Sequence, residues 1–471
     1  MSVRHTALPS LADTARGLAR REISPVELVH TALRAADRLN PVLNAYITVV
    51  REAALDAARA AERDIEAGRY RGPLHGIPVS VKDIYWTRGV RTTAGSRILT
   101  DFVPAENSAV VDRLAAAGAI LVAKANTMEF AYASVHPDFG PPKNPWDTTR
   151  ATGGSSSGSA AAVAAGLDFG SFGSDTGGST RIPAAFCGLT GLKPTYGLVS
   201  RFGLVPLSWT LDHPGVLGRS AADVALLLQG VAGRDPRDES TSAAPPVDAP
   251  APLGERLDGV TVAVLTNLMD ADAAPEIRTA VRQSVDVLAG AGARIREIAV
   301  PELAGEALEA HMRILLPEAS YCHRDWLATR AADYTDAVRT RLEAGTRTTA
   351  VAYVAALRMR ERLRARIRAL QQEIDLFVLP TTPMPAPPLG GSASAPPDVE
   401  ELKARMRRTA PFNLLGTPAL SVPCGFSSEG LPIALQIVGR DFEDGLVLRA
   451  GHAFQTRTDW HLRRPPASAG A

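Results

Sequence analysis

The sequence predicts an α/β fold whose sheet contains parallel strands. Helical and strand patterns alternate from the N-terminal region through residue 165, which is typical of a sheet covered by helices. A second observation comes from the middle of the chain, where apolar runs at 260–265 and 295–300 flank an amphipathic helical pattern between Ile277 and Leu288. Strands joined through a helix in this way run parallel, so we expect at least one βαβ unit.

The first predicted elements are two helices. Ser24, Pro25 and Glu27 form a capping box with proline at the first helical position, which predicts a helix that ends near Asn40. An alanine-rich pattern predicts a second helix at about 52–68.

A strand predicted at 77–84 carries Lys82. Successive side chains of a strand point to opposite faces, so Ser80, Lys82 and Ile84 should share one face. Asp83 should lie on the other face. We therefore expect that Asp83 is not the direct ion-pair partner of Lys82.

The elements that follow continue the alternation. A helix at about 108–118 leads into a buried strand at 119–123, and residues 159–165 indicate a short helix of very small side chains. An arginine-rich run at 357–372 spreads its charge around a helix and keeps an apolar side. This pattern favours a solvated helix over a nucleic-acid contact.

Lysine is rare in this chain. Only five of the 51 basic residues are lysines, at positions 82, 124, 143, 193 and 403. Arginine stays protonated in proteins and cannot act as a base, whereas an amine desolvated among apolar neighbours has a lowered pKa and can do so. Lys82 is therefore a candidate general base, and the alternative is a buried structural ion pair.

Two serines lie in a glycine- and serine-rich segment at 152–181. Ser155 and Ser179 are 24 positions apart, and two glycines directly precede Ser179. Glycine lets successive N–H groups point at one spot, as an oxyanion hole requires. A serine hydroxyl becomes a nucleophile when a base takes its proton. Together with Lys82, this segment indicates an enzyme that cleaves amides.

Other chemistries have no matching motif in the sequence. The chain contains no GxxxxGK[ST] phosphate-binding loop, and neither Ser155 nor Ser179 lies in a GxSxG elbow. The nine histidines show no HExxH spacing, and there is no CxxC pair. We expect neither a metal nor a cofactor.

The same segments resemble the amidase signature family. The similarity is carried by PVSVKD around Lys82, by residues 153–181, by GLKPTYGLVSRFGLVPLSWTLDHPG after them and by TPALSVPCGFSSEGLPIALQIVGR near the end. It extends over about 11–465. The resemblance implies a large twisted mixed β-sheet flanked by helices on both faces, in a single domain over 1–471 with a signature core at about 70–220.

The resemblance also implies a Ser-cisSer-Lys triad. Ser179 corresponds to the nucleophile, Ser155 to the relay serine and Lys82 to the base. The peptide bond between Gly154 and Ser155 is expected to be cis. The chain reads GGSSSGS where the family usually has GGSSGGS, so Ser157 stands at the place of a glycine.

Further site residues are implied by the same resemblance. Backbone N–H groups are expected to form the oxyanion hole, and these belong to Thr176, Gly177, Gly178 and Ser179. An ion pair is expected to brace the loop without reacting, and its members are Asp175 and Arg181. Four side chains are candidates for the substrate pocket, with the hydrophobic core as the alternative, and these are Glu129, Phe130, Tyr132 and Trp209.

Two stretches rich in proline and alanine, 243–252 and 383–397, are interpreted as exposed connections. They bracket a region at about 243–397 that we expect to be less regular. Because the family pattern resumes at 409–440, we do not divide the chain there. The tail at about 465–471 is expected to be disordered.

Two functional classes are compatible with the resemblance. The first is an amidohydrolase that releases ammonia or an amine from a small linear carboxamide through an acyl-enzyme. The second is the glutaminase subunit of a tRNA-dependent amidotransferase, which passes ammonia to a partner. For the second class we expect a tyrosine- and glycine-rich segment with an arginine that holds the carboxylate of glutamine. Residues 303–372 are instead rich in alanine and arginine with no clear counterpart, which favours the first class.

Charge and composition limit the partners and the location. With 51 basic and 50 acidic residues the formal net charge is +1, so no global field attracts nucleic acid or an anionic membrane. The sequence shows no apolar leader and no run of membrane-spanning length. Three cysteines, few and odd in number, indicate reduced thiols in a cytoplasmic protein. The expected partners are a small-molecule amide and either a second copy of the chain or a small accessory subunit.

Overall fold

A mixed sheet of 11 strands organises the part of the chain that the computed structural model describes, residues 9–245, 253–269, 272–389 and 399–466. The strands are β1 (Tyr46–Val49), β2 (Pro78–Lys82), β3 (Ile120–Ala125), β4 (Ser171–Asp175), β5 (Thr190–Lys193), β6 (His213–Gly218), β7 (Thr261–Leu265), β8 (Arg294–Ile298), β9 (Leu376–Pro380), β10 (Ala419–Phe426) and β11 (Pro432–Val438).

The described residues also form 17 α-helices. They are α1 (Leu11–Ala19), α2 (Pro25–Leu43), α3 (Arg51–Glu66), α4 (Ala109–Ala116), α5 (Ser157–Ala165), α6 (Arg181–Cys187), α7 (Ala221–Gln229), α8 (Thr266–Met269), α9 (Pro275–Gly290), α10 (Pro301–Ala304), α11 (Glu306–Cys322), α12 (Arg324–Arg330), α13 (Asp336–Thr346), α14 (Ala350–Leu370), α15 (Val399–Met406), α16 (Ala410–Leu415) and α17 (Asp444–Gln455). None of these described helices combines the length and the apolar character that crossing a membrane requires.

The strand order across the sheet is β1-β3-β2-β4-β6-β5-β10-β11-β9-β7-β8. Strand β2 pairs in parallel with β3 and β4, and β7 pairs in parallel with β8 and β9. The remaining neighbours pair in antiparallel fashion. The predicted α/β fold with a mixed sheet is therefore confirmed, including the parallel β7–α9–β8 unit.

The predicted helices and strands that lead to the site are present. Ser24 caps α2 by accepting a hydrogen bond from the N–H group of Glu27, and the helix continues to Leu43. The arginine-rich run forms the second half of α14, whose Leu363 and Ile367 are buried. Both outcomes follow from local patterns, a cap in one case and an apolar stripe in the other.

Every residue of β2 and of β4 is buried. Because successive residues of a strand face opposite ways, both faces of the sheet are covered at this place. The two strands pair in parallel through Ser80 and Ser171, so their carboxyl ends lie side by side. Helix α5, built from small side chains, packs against both strands. A polar group at this edge of β2 therefore lies in the protein interior.

The expectation of a less regular region at 243–397 is wrong for the residues that the structure describes. Strands β7–β9 and helices α8–α14 occupy most of it. That expectation came from two proline- and alanine-rich stretches, and most of each lies outside the described residues, at 246–252 and 390–398. Residues 467–471 of the predicted disordered tail also lie outside the described part.

The close approach of α5 to the sheet generates a prediction at Gly158. A Cβ atom at this position would meet main-chain atoms of Ala45 and Asn126, which cannot move without shifting the ends of β1 and β3. We expect Gly158→Ala to lower the free energy of unfolding by about 1–3 kcal/mol, the usual cost of overpacking a core. Chemical denaturation measures this difference.

The control for that variant is Gly290→Ala at the end of α9. An added Cβ there has no atom within 4 Å, so we expect the free energy of unfolding to stay unchanged or to rise. A Gly158→Ala protein as stable as the wild type would contradict the close approach.

Candidate active site

Lys82 is the last residue of β2, and its side chain is completely buried. Its Nζ atom donates to Ser155 Oγ at 2.7 Å, to Ser174 Oγ at 2.9 Å and to Ser156 Oγ at 3.2 Å. Ser174 belongs to the neighbouring strand β4, while Ser155 and Ser156 lie just before α5. Strand pairing and helix packing thus bring three hydroxyls around one amine.

The hydrogen bonds restrict which of these serines can give a proton to Lys82. The Ser156 hydroxyl donates to the carbonyl oxygen of Ser174 at 3.1 Å and accepts from the Ser174 N–H group at 3.1 Å. Its proton is therefore already in use. When Nζ is uncharged, its lone pair can accept from Ser155 or Ser174. Of these two residues, Ser155 is the one that lines the cavity described below.

Burial lowers the pKa of Lys82 to about 7, although the carboxylates of Asp175 and Asp212 favour the charged form. An uncharged amine is therefore available near neutral pH. The neighbouring Asp83 forms an ion pair with Lys124 at 3.3 Å. The expectation that Asp83 is not the partner of Lys82 is confirmed.

The loop between β4 and α6 is held by a buried ion pair. Asp175 accepts hydrogen bonds from Arg181 Nη2 at 2.8 Å and from Arg181 Nε at 3.0 Å. Burial opposes the ionisation of Asp175, but Arg181 and Asn413 hold its pKa well below the usual range. Arg181 also donates to Gln436 Oε1 at 2.7 Å and to Asn413 Oδ1 at 2.6 Å. These contacts correspond to the bracing that was expected of Asp175 and Arg181.

The backbone donors of this loop differ from the expected set at one residue. The N–H groups of Thr176, Gly177 and Ser179 donate to no atom of the residues that the structure describes. The N–H group of Gly178 donates to Asp175 Oδ1 at 2.8 Å. Gly178 is therefore corrected, because the carboxylate that braces the loop already uses its N–H group. Thr176, Gly177 and Ser179 line the cavity.

Ser155 and Ser179 lie at the same cavity. The peptide bond between Gly154 and Ser155 is cis, as the resemblance implies, and the Ser156 N–H group donates to the Ser179 carbonyl oxygen at 3.2 Å. The hydroxyls of Ser155 and Ser179 are not hydrogen-bonded to each other, and Ser155 Oγ instead accepts from Lys82. Proton transfer between the two serines needs a closer approach, and such contacts commonly tighten when substrate binds.

The cavity has a volume of about 150 Å³ and a mostly apolar wall. Large side chains of this wall are those of Met128, Tyr132, Ile182, Phe186, Leu315 and Met406. The described part of the wall includes two arginines, Arg341 and Arg405, and no carboxylate side chain. The guanidinium carbon of Arg341 lies 5.4 Å from the centre of the Tyr132 ring. Such a wall suits an uncharged or anionic ligand better than a cationic one.

Of the four side chains expected in the pocket, Tyr132 is the one that lines the described wall. Glu129 is buried and accepts from Ser96 Oγ at 2.8 Å and from Thr335 Oγ1 at 2.7 Å. Phe130 packs within a group of rings, those of His323, Trp326 and Tyr334. Glu129 and Phe130 are therefore corrected: both support the segment from behind rather than facing the cavity.

Trp209 also lies outside this cavity. Its side chain is 40% exposed, and its ring packs edge-on against Tyr321 at a centroid distance of 5.3 Å. The expectation that Trp209 forms a pocket wall is corrected, because the segment that carries it reaches the protein surface. Leu207, two residues earlier, lines the cavity instead.

Comparison with known proteins agrees with this architecture. The family model described as Amidase matches residues 27–448. The chain belongs to the amidase family. The glutaminase-type relative from Synechococcus sp. (strain JA-2-3B'a(2-13)), a glutamyl-tRNA(Gln) amidotransferase subunit, is 41% identical over 96% of this chain and 92% of the relative. The putative amidase AmiD of Mycobacterium bovis is 40% identical over 97% of this chain and 95% of the relative.

A solved structure leads to the same conclusion about the fold. A crystal structure of an amidase is 34% identical, with a TM-score of 0.84 over 95% of this chain and 100% of that chain. The resemblance seen in the sequence is therefore confirmed, and the protein is an amidase-family enzyme. Its relatives include both a putative amidase and an amidotransferase subunit, so they are compatible with both functional classes.

The sequence analysis of this amidase-family enzyme missed three polar residues of the site, Ser156, Ser174 and Arg341. Ser156 and Ser174 lie inside the glycine- and serine-rich segment, but only the parallel pairing of β2 with β4 brings Ser174 next to Lys82. Arg341 is one of many arginines on helices, and its sequence carries no signal of a cavity. Among the described residues, no group of three or more His, Cys, Asp or Glu side chains could hold a metal ion.

The buried amine generates a prediction about pH. Because the pKa of Lys82 is lowered to about 7 and the uncharged form is the base, amide hydrolysis should increase as the pH rises through about 7 and should be lost in acid. The Lys82→Ala variant should lose most activity, should be most impaired in acid and should recover partly at high pH. The measurement is kcat/KM as a function of pH.

Lys193→Met is the matched control for that experiment. Burial also lowers the pKa of Lys193 to about 7, but its Nζ atom donates to the Pro194 carbonyl oxygen and is not part of the cavity wall. We expect this variant to keep the midpoint of the wild-type profile. A flat wild-type profile, or a midpoint that moves in Lys193→Met, would assign the titration to another group.

Proposed function

We propose that this enzyme hydrolyses a linear carboxamide through an acyl-enzyme, with Ser179 as the nucleophile, Ser155 as the relay and Lys82 as the base. The observation that carries the proposal is a buried lysine whose Nζ atom lies 2.7 Å from Ser155 Oγ, at a cavity that Ser155 shares with Ser179. A desolvated amine of this kind is a base near neutral pH.

Acylation begins with two proton transfers. The uncharged Lys82 amine takes the proton of the Ser155 hydroxyl, and Ser155 takes the proton of the Ser179 hydroxyl. The Ser179 oxygen then forms a bond to the carbonyl carbon of the amide, and the carbonyl oxygen becomes an oxyanion. The N–H groups of Thr176, Gly177 and Ser179 are the available donors for this oxygen, since they have no acceptor among the described residues. Loss of one such donor costs about 100- to 1,000-fold in rate.

Collapse of the intermediate releases the amine. The Ser155 hydroxyl gives its proton to the departing nitrogen, because an amide anion is too basic to leave, and Lys82 returns its proton to Ser155. The C–N bond breaks, and ammonia or an amine departs. Water then attacks the ester of Ser179, with the same residues moving its proton, and the carboxylic acid is released.

A second candidate function is that of a glutaminase subunit whose ammonia passes to a partner. One relative at 41% identity belongs to a glutamyl-tRNA(Gln) amidotransferase. The sequence of 303–372 offered no clear counterpart of an arginine that could hold a carboxylate, yet Arg341 in α13 lines the cavity. The ground on which the sequence disfavoured this candidate is therefore weakened.

The charge of the cavity wall favours the first candidate on different grounds. Glutamine carries an ammonium group beside its carboxylate, and a buried ammonium needs an acidic partner. The described wall has arginines but no carboxylate side chain. We therefore propose an amide that is neutral or anionic and lacks an ammonium group.

The experiment that tests the proposed function is labelling with a fluorophosphonate combined with a screen of simple amides. The wild-type protein should react covalently and release ammonia or an amine, because its serine is activated. Ser179→Ala should do neither. Ser157→Ala is the control, since Ser157 lines the same cavity but its hydroxyl donates only to the nearby Ser155 carbonyl oxygen. Equal labelling of wild type and Ser179→Ala would reject Ser179 as the nucleophile.

A matched substrate series tests the charge of the amide. Pentanamide, glutaramate and glutamine share one carbon chain and differ by a terminal carboxylate and then by an added ammonium. We expect glutaramate to have a higher kcat/KM than glutamine, and we expect Arg341→Met to raise KM about tenfold for glutaramate but not for pentanamide, as for a lost charge-assisted hydrogen bond. Glutamine as the best of the three, above all with ammonia release that needs a partner protein, would favour the second candidate.

A further inference from the structure

His311 lies on α11, outside the segments that carry the resemblance, and contacts the nucleophile loop. It is completely buried, and its Nε2 atom lies 2.8 Å from the carbonyl oxygen of Thr176. A carbonyl oxygen only accepts, so Nε2 carries the hydrogen. Burial lowers the pKa of His311 to about 4, so the ring is neutral at the pH at which Lys82 loses its proton. Its Nδ1 atom has no partner among the described residues.

The carbonyl that His311 holds belongs to the same planar peptide as the Gly177 N–H group. In a trans peptide these two groups point in opposite directions, so a hydrogen bond that fixes the carbonyl also fixes the N–H group. The Gly177 N–H group donates to no described atom, and Gly177 lines the cavity. The imidazole also packs closely here, since its Cε1 atom would lie 3.3 Å from a Cβ added at Gly177.

The next peptide of the loop is held in a different way. The Gly177 carbonyl oxygen accepts from Thr409 Oγ1 at 2.7 Å, and the Gly178 N–H group donates to Asp175 Oδ1 at 2.8 Å. Both polar groups of this peptide are used within the protein. Of these two successive peptides, the one held by His311 is therefore the one that leaves a donor for a ligand.

We propose that His311 is a positioning residue for the reaction, which orients the Thr176–Gly177 peptide so that the Gly177 N–H group faces the oxyanion of the tetrahedral intermediate. This inference rests on the proposed function. His311 does not line the described cavity, so it acts through the peptide and not on the substrate. A residue needed for packing alone would not require a donor, and a buried ring with an unpartnered nitrogen is less favourable there than an apolar side chain.

Two isopolar variants separate positioning from packing. The amide nitrogen of His311→Gln can take the place of Nε2, whereas His311→Asn is one methylene shorter and leaves the Thr176 carbonyl without this donor. We expect His311→Asn to lower kcat by about 10- to 100-fold with KM within about twofold, because the lost interaction acts mainly in the transition state. His311→Gln should keep most of kcat. The pH midpoint should stay near that of the wild type in both variants, since neither changes Lys82.

A binding measurement reports on the oxyanion directly. A trifluoromethyl ketone analogue of an accepted amide forms a hemiketal with Ser179 and places an oxyanion in the site, whereas the matching secondary alcohol cannot. The His311→Asn variant should bind the ketone at least about tenfold more weakly than the wild type and the alcohol equally well. Ile314→Ala is the packing control on the same helix, since Ile314 is also completely buried. It should lower the thermal unfolding midpoint and keep kcat.

Each other outcome overturns the inference. If His311→Asn keeps kcat, or if His311→Gln is impaired as much as His311→Asn, the hydrogen bond does not position the donor. If Ile314→Ala loses kcat as His311→Asn does, the effect is one of packing. A wild-type protein that hydrolyses no amide would refute the proposed function and this inference with it, whereas an active wild type whose Asn variant is equally active refutes the inference alone.

Discussion

Desolvation of one amine at the end of β2 is the constraint on which the site depends. Lys82 is surrounded by hydroxyl oxygens, which bind it without supplying a negative charge. The nearest candidate counter-ions have other partners, since Asp83 pairs with Lys124 and Asp175 pairs with Arg181. A shift of one pKa unit corresponds to about 1.4 kcal/mol, so an additional carboxylate beside this amine would readily restore its charge. Keeping acids occupied elsewhere therefore matters as much as burying the lysine.

The nucleophile loop has its own support, and this comes from the distant half of the chain. Asp175 and Arg181 pin the loop internally, and Arg181 extends the contact to Asn413 in α16 and Gln436 in β11. Thr409 and His311 hold two successive peptide carbonyls. The first half of the chain thus supplies the reacting groups, and the second half sets the direction in which the main chain presents its donors.

The sequence predicted the parts of the fold that rest on local chemistry. The Ser24 cap and the apolar stripe of α14 are present because a cap and a stripe need only nearby residues. The alternation of β2 correctly separated Asp83 from Lys82, since a strand enforces a period of two. The less regular region expected at 243–397 failed because prolines between elements say little about the elements that they connect. The strands β7–β9 are ordinary members of the sheet.

The sequence by itself determined the chemical groups of the candidate site, a lysine and two serines in a glycine-rich context, and the α/β class of the fold. The tertiary structure decided which polar groups are already in use. It removed Gly178 from the donors and placed Glu129, Phe130 and Trp209 outside the cavity wall, and it brought Arg341 to that wall. The physical reason is that a hydrogen bond has a direction and a limited reach. Whether a group faces a cavity depends on partners more than a hundred residues away, which no local pattern encodes.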